Sequence, residues 1–248
     1  MLLTARGLSK RFGGVLAVDG ASVSVAEGRI VALIGPNGAG KTTLFAMIAG
    51  FAQPDAGEIT FAGRRIDAMP PHEICRLGLT RTFQIVQPFA GLSVRENIAI
   101  GAHLHHPRRA DALAAAGEIA ARLGMSAMLD QQAKALTIAG RKRLELARAL
   151  ATAPKLLLLD EVMAGLIPAE VTQIIAMIRA IRDSGVTILL IEHVMQAVMS
   201  LSEEAYVLNQ GRVIAHGAPR ELVADRQVIE AYLGPGAAER LHMAFRDA

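Results

Sequence analysis

The 248-residue chain has no tryptophan, a single cysteine, and only seven phenylalanines and two tyrosines. One cysteine, Cys75, cannot close an internal disulfide, which fits a reducing cytoplasm. So few aromatics, spread among scattered basic residues, make a poor base-stacking platform. The densest basic cluster, Arg141-Lys142-Arg143, runs on into Leu-Glu-Leu-Ala and reads as the first turn of a helix. No nucleic-acid partner is expected, although the pI is about 9.3. Long apolar runs are missing as well. Apolar runs such as residues 156–159 and 186–191 fall far short of the ~20 residues that span a bilayer. The N-terminal residues reach charge at Arg6, Lys10 and Arg11 without the apolar core of a signal peptide. Against these absences stand 52% hydrophobic residues, a net charge of only +3 and a mean hydropathy of +0.35. That balance excludes intrinsic disorder and supplies a sizeable core, in one large domain or one domain with an inserted lobe. A hydrophobic chain with no membrane segment of its own is the tension to resolve.

Three textures follow one another. Residues 1–87 read as strands and turns, including the continuous apolar run at 30–34 expected of a buried strand. From 88 to 153 strand signals vanish and alanine rises, as at 110–122. Ser93 with Glu96 spells a capping box, and 141–151 carries apolar residues at helical spacing. The α/β texture resumes at 154–234, with apolar strands at 156–159 and 186–191 and a hairpin across Asn209-Gln210-Gly211. Residues 235–248 read as a tail. The expectation is an α/β protein with an N-terminal antiparallel region, a mostly parallel sheet and an inserted helical subdomain.

The strand at 30–34 ends in Gly35-Pro36-Asn37-Gly38-Ala39-Gly40-Lys41-Thr42-Thr43, and an apolar helix follows. Strand, glycine loop and helix in that order make the phosphate-binding P-loop. Its glycines let successive N–H groups turn inward around phosphate oxygens, and the helix N-terminus adds partial positive charge. Lys41 is expected to reach the β- and γ-phosphates and Thr42 to ligate Mg²⁺. A second carboxylate is then required at the end of another buried strand. Leu156-Leu157-Leu158-Leu159-Asp160-Glu161 provides it: Asp160 for the metal, Glu161 as general base on an attacking water.

Here the chain resembles the nucleotide-binding subunits of ATP-binding-cassette (ABC) transporters, from Leu2 to about Gly234. The run Arg143-Leu144-Glu145-Leu146-Ala147-Arg148-Ala149-Leu150 is similar to the continuation of the family signature, which places that signature at Leu136-Thr137-Ile138-Ala139-Gly140. The family consensus is Leu-Ser-Gly-Gly-Gln. Thr137 keeps a hydroxyl, Ala139 stands for a glycine and Gly140 for the glutamine. The resemblance implies a γ-phosphate contact from Thr137, Ala139 and Gly140 to the nucleotide of an opposing subunit, either kept with altered geometry or weakened by these departures. It also implies that Phe12 stacks on adenine, that Gln84 contacts Mg²⁺ and the attacking water, and that His193 holds the γ-phosphate and orients Glu161. Val162 and Ile167 replace the family's Pro and Asp or Asn near the dimer contact. With Thr137 and Ala139 these changes favour pairing with a different subunit, leaving homodimer and heterodimer both open.

Within the family, Phe12-Gly13-Gly14, Leu79-Thr80-Arg81-Thr82-Phe83-Gln84, Ile191-Glu192-His193 and Val228-Ile229-Glu230-Ala231-Tyr232-Leu233-Gly234 are similar to the ATP-binding subunits of branched-chain and hydrophobic amino-acid importers. The implied cofactors are ATP and Mg²⁺. The implied partners are a second ATPase subunit, transmembrane permease subunits and, indirectly, a solute-binding protein. The implied location is peripheral, on the cytoplasmic face of the inner membrane. A urea or short-amide importer, a non-transport cassette ATPase and a nucleotide-sensing module remain as alternatives.

Overall fold

The computed structural model describes residues 1–234, and the expected tail at 235–248 lies outside the described residues. The chain forms two compact units. One comprises Met1–Ala68 with the described residues from Leu189 onward, and the other comprises Met69–Ile188.

In the first unit, β1 (Leu3–Phe12) and β2 (Val15–Val25) form a long antiparallel hairpin. With β4 (Ala56–Phe61) and β5 (Arg64–Arg65) they make a four-stranded sheet of order β2-β1-β4-β5. Within this hairpin the sequence pattern marks strands only at residues 2–8 and 22–26. Gly7, Gly13 and Gly20 adopt positive φ in the hairpin, and its register shifts at three points, so the alternation is broken where the strands continue. Strand β3 (Ile30–Ile34) is buried along its whole length, as a parallel strand covered on both faces must be. It pairs parallel with β9 (Glu204–Asn209), which pairs antiparallel with β10 (Arg212–Gly217). Asp19 and Arg212 form an ion pair at 2.6 Å between β2 and β10. The P-loop helix α1 (Lys41–Ile48), α7 (Met195–Leu201), α8 (Pro219–Leu222) and α9 (Arg226–Leu233) complete this unit.

In the second unit, α2 (Pro71–Arg76) leads to β6 (Leu79–Arg81), parallel to β7 (Leu156–Asp160). From Val94 to Leu150 the regular elements are α3 (Val94–Ala102), α4 (Arg109–Arg122), α5 (Ile138–Leu150) and two short 3₁₀ turns. The Ser93–Glu96 capping box is formed in full. Buried Asn97 exchanges hydrogen bonds with the main chain of Phe89, donates to the carbonyl of Ser93 and so pins the entry to α3. Helix α5 starts three residues earlier than the sequence places it, because the Thr137 hydroxyl accepts the Gly140 N–H and caps the helix. Helix α6 (Pro168–Asp183) buries Val171, Ile174, Ile175, Ile178 and Ile181, the apolar stripe of a helix laid on a core. Strand β8 (Thr187–Ile191), whose first two residues belong to this unit and whose last three belong to the first, is buried throughout. Both the antiparallel N-terminal sheet and the parallel pairing expected from the sequence are present.

Candidate functional site

Strand β3 delivers the chain into the P-loop with its last residue, Ile34, buried and Gly35 at φ +148. A Cβ on Gly35 would run into the carbonyl of Leu208, and one on Gly40 (φ +103) into the carbonyl of Ala17. These two glycines are therefore required by close backbone approach as well as by dihedral. The loop is tied back by Ala39 N–H to Pro36 and by Gly211 N–H to the Ala39 carbonyl. Gly40 caps α1 without any side-chain hydrogen bond of its own. Lys41 is buried and curls over its own loop, donating to the carbonyls of Gly35 (2.7 Å) and Pro36 (2.9 Å). Asn37, Gly38 and Thr42 are exposed along the same stretch, while Ala39 is buried and Pro36 and Thr43 are half-buried.

Two further expected residues belong to this unit. Phe12 lies at the tip of the β1–β2 hairpin with 52% of its surface exposed and Lys10 Nζ 5.7 Å from its ring centre. It is therefore not a core residue. His193 is exposed just beyond β8.

The second unit gathers the carboxylates. Asp160 closes β7, and one of its oxygens, Oδ2, accepts from Arg81 at 2.8 Å in a pair that is almost wholly buried. The other, Oδ1, is buried with no hydrogen-bond partner. An orphaned carboxylate oxygen at a strand end is what a hard cation held by one carboxylate, phosphate and water would use, so the residues fit Mg²⁺. Glu161, the next residue, sits at φ +48, a conformation non-glycine residues adopt at a cost of order 1–3 kcal/mol. Its Oε2 accepts from Gln84 Nε2 at 2.7 Å. The sequence-expected base and glutamine, 77 positions apart, are thus in direct contact.

At the stretch expected to be the signature, Thr137 caps α5, Ala139 is buried and Gly140 is packed against Leu136, where a Cβ would come to 3.3 Å. Ile167 is 61% exposed and Val162 is buried. Four residues escaped the sequence reading: Arg81, Lys142, Glu145 and Arg148. Glu145 accepts the Phe83 N–H at 2.6 Å, and burial pushes its carboxyl up from the usual range, with that hydrogen bond acting in the opposite sense. Lys142 donates to the carbonyls of Gln84 (3.1 Å) and Glu161 (3.2 Å).

A buried strand running into a glycine loop and a helix in one unit, and a buried strand ending in paired acids in the other, define a P-loop nucleotide-binding protein. The sequence profile described as ABC transporter matches residues 18–164, and that described as Branched-chain amino acid ATP-binding cassette transporter matches 212–235. The chain belongs to the ATP-binding subunits of ABC transporters, a family characterised by ATPase activity. It is 42% identical to the high-affinity branched-chain amino acid transport ATP-binding protein LivG of Salmonella typhimurium, over 94% of this chain and 98% of that one. It is 39% identical, with the same coverage, to BraF of Pseudomonas aeruginosa, which bears the same description. It is 38% identical to the lipopolysaccharide export system ATP-binding protein LptB of Escherichia coli, over 94% and 97%. Among solved structures, the ADP conformation of an ATP-binding cassette superposes with a TM-score of 0.86 at 32% identity, covering 94% of this chain and 98% of that one. A nucleotide-free cassette gives 0.85 at 31%, covering 93% and 98%. No helix among the described residues is long and apolar enough to cross a membrane.

Proposed function

We propose that this chain is the ATP-hydrolysing subunit of an importer for branched-chain or other hydrophobic amino acids. The observation that carries the hydrolytic part is the 2.7 Å hydrogen bond from Gln84 to Glu161. It holds a general base against a residue able to orient water. The P-loop N–H groups and Lys41 bind the phosphates, Phe12 stacks on the adenine and His193 holds the γ-phosphate. Thr42, Gln84 and Asp160 are the residues that would hold Mg²⁺, which supplies charge neutralisation at the phosphate oxygens. Glu161 takes the proton of the attacking water, and the Gln84 amide keeps the Glu161 carboxylate in place. Thr137, Ala139 and Gly140 serve the nucleotide of a second ATPase subunit.

The amino-acid assignment is supported by the C-terminal match at 212–235. Overall identity discriminates less, since the lipopolysaccharide-export relative stands at 38% beside 39–42%. Phe83, Ile85 (74% exposed) and Phe89 are exposed apolar residues on the segment that carries Gln84, suited to meeting a permease helix. Permease docking there would hold the chain on the cytoplasmic face of the membrane, with a solute-binding protein on the far side. The test is uptake of radiolabelled leucine and of urea by vesicles carrying the chain with its permease partners. ATP-dependent leucine uptake supports the reading, and uptake of urea alone refutes the amino-acid assignment.

A further inference from the structure

Helix α5 presents three polar side chains at a spacing of three, Lys142, Glu145 and Arg148, to residues 83–89 of the same unit. Each grips that segment. Glu145 accepts the Phe83 N–H at 2.6 Å, and Lys142 donates to the Gln84 carbonyl at 3.1 Å. Arg148 donates to the Gln87 carbonyl at 3.1 Å and lies 5.0 Å over the ring of Phe89. Lys142 alone also reaches elsewhere: its ammonium donates to the Glu161 carbonyl at 3.2 Å. The residue is only 5% exposed. A buried ammonium is unfavourable unless carbonyl or carboxylate oxygens replace its water, and two carbonyls do so here.

Those two carbonyls belong to the two residues whose side chains meet in the Gln84–Glu161 hydrogen bond. Glu161 holds a left-handed backbone conformation, which persists only where its surroundings enforce it. We propose that Lys142 is a positioning residue for ATP hydrolysis. Its ammonium clamps the main chain of Gln84 and Glu161 and ties both to the helix that begins at the signature Thr137. Movement at that helix start is then transmitted to the Gln84–Glu161 pair. The inference rests on the reading of Glu161 as general base.

The experiment compares Lys142→Met, which fills the space without donating, with Lys142→Arg, which keeps a donor. ATP turnover and amide hydrogen exchange are measured on the full chain with its permease partners. Lys142→Met is expected to lower kcat at least tenfold with KM for ATP within twofold. Lys142→Arg is expected to recover most of that loss. Amides of residues 83–89 are expected to exchange faster in Lys142→Met, with those of α1 unchanged. Wild-type kcat together with unchanged exchange at 83–89 in Lys142→Met overturns the proposal, as does a rise in KM alone. Undiminished turnover in Glu161→Gln overturns the general-base reading instead, and the exchange rates at 83–89 then still decide whether Lys142 holds the segment.

Discussion

Gln84 donates its side-chain amide to the Glu161 carboxylate at 2.7 Å, joining the segment after β6 to the residue that follows β7. The hydrogen bond fixes one carboxylate oxygen of the expected base. Replacing Gln84 by Ala frees the carboxylate to rotate. ATP turnover is expected to fall ten- to a hundredfold, the range over which a lost orienting group acts, with nucleotide affinity retained. Titration with a fluorescent ATP analogue beside a phosphate-release assay separates the two quantities.

Lys41 spans the carbonyls of Gly35 and Pro36 and so holds the loop as well as its own ammonium. Lys41→Ala is expected to abolish measurable ATP binding at millimolar nucleotide, with the chain still folded by circular dichroism. Gly40→Ala is expected to do worse. A Cβ there meets the Ala17 carbonyl at a φ of +103, so the thermal midpoint is expected to drop by several degrees as well.

Arg81 and Asp160 form an ion pair that is 8% and 1% exposed. Removing one partner of such a pair strands the other charge in the interior. Arg81→Met is expected to destabilise the chain by about 3–5 kcal/mol in urea unfolding, whereas an exposed pair such as Arg6–Glu58 is worth about 0–1 kcal/mol. Equal effects of Arg81→Met and Arg6→Met would contradict the burial argument.

Glu145 has its carboxyl raised by burial, so its protonated form is favoured in the fold. The sign follows directly. The stability this group contributes is fully present below the ordinary carboxyl pKa and is lost as pH rises through the raised one. Glu145→Gln keeps an acceptor for the Phe83 N–H and carries no charge at any pH. Its thermal midpoint relative to wild type is therefore expected to improve from pH 4 to pH 8. A difference that is flat or declining across that window would show that burial does not govern this side chain.

The parts of the fold set by local rules were legible. The apolar runs of β3, β7 and β8, the Ser93–Glu96 box and the glycine loop lie where residues 30–34, 156–161, 186–191 and 35–43 place them. The hairpin of β1 and β2 was seen only in part, because its glycines and register shifts break the period-two pattern. The start of α5 was misplaced because Arg141-Lys142-Arg143 looks like a solvent-facing first turn, whereas Thr137 is the cap and Lys142 points inward. Arg81, Lys142, Glu145 and Arg148 were illegible as site residues for one reason. Their partners are main-chain groups or acids 19 to 79 positions away, and no local spacing encodes those contacts.

The central claim is that Glu161 is the general base of an ATPase. It is tested most directly by steady-state ATP turnover of the chain with its permease partners, wild type against Glu161→Gln, with bound nucleotide quantified in parallel. Glu161→Gln should bind ATP with unchanged affinity and turn it over at least a hundredfold more slowly. Turnover near the wild-type rate in that variant would contradict the assignment.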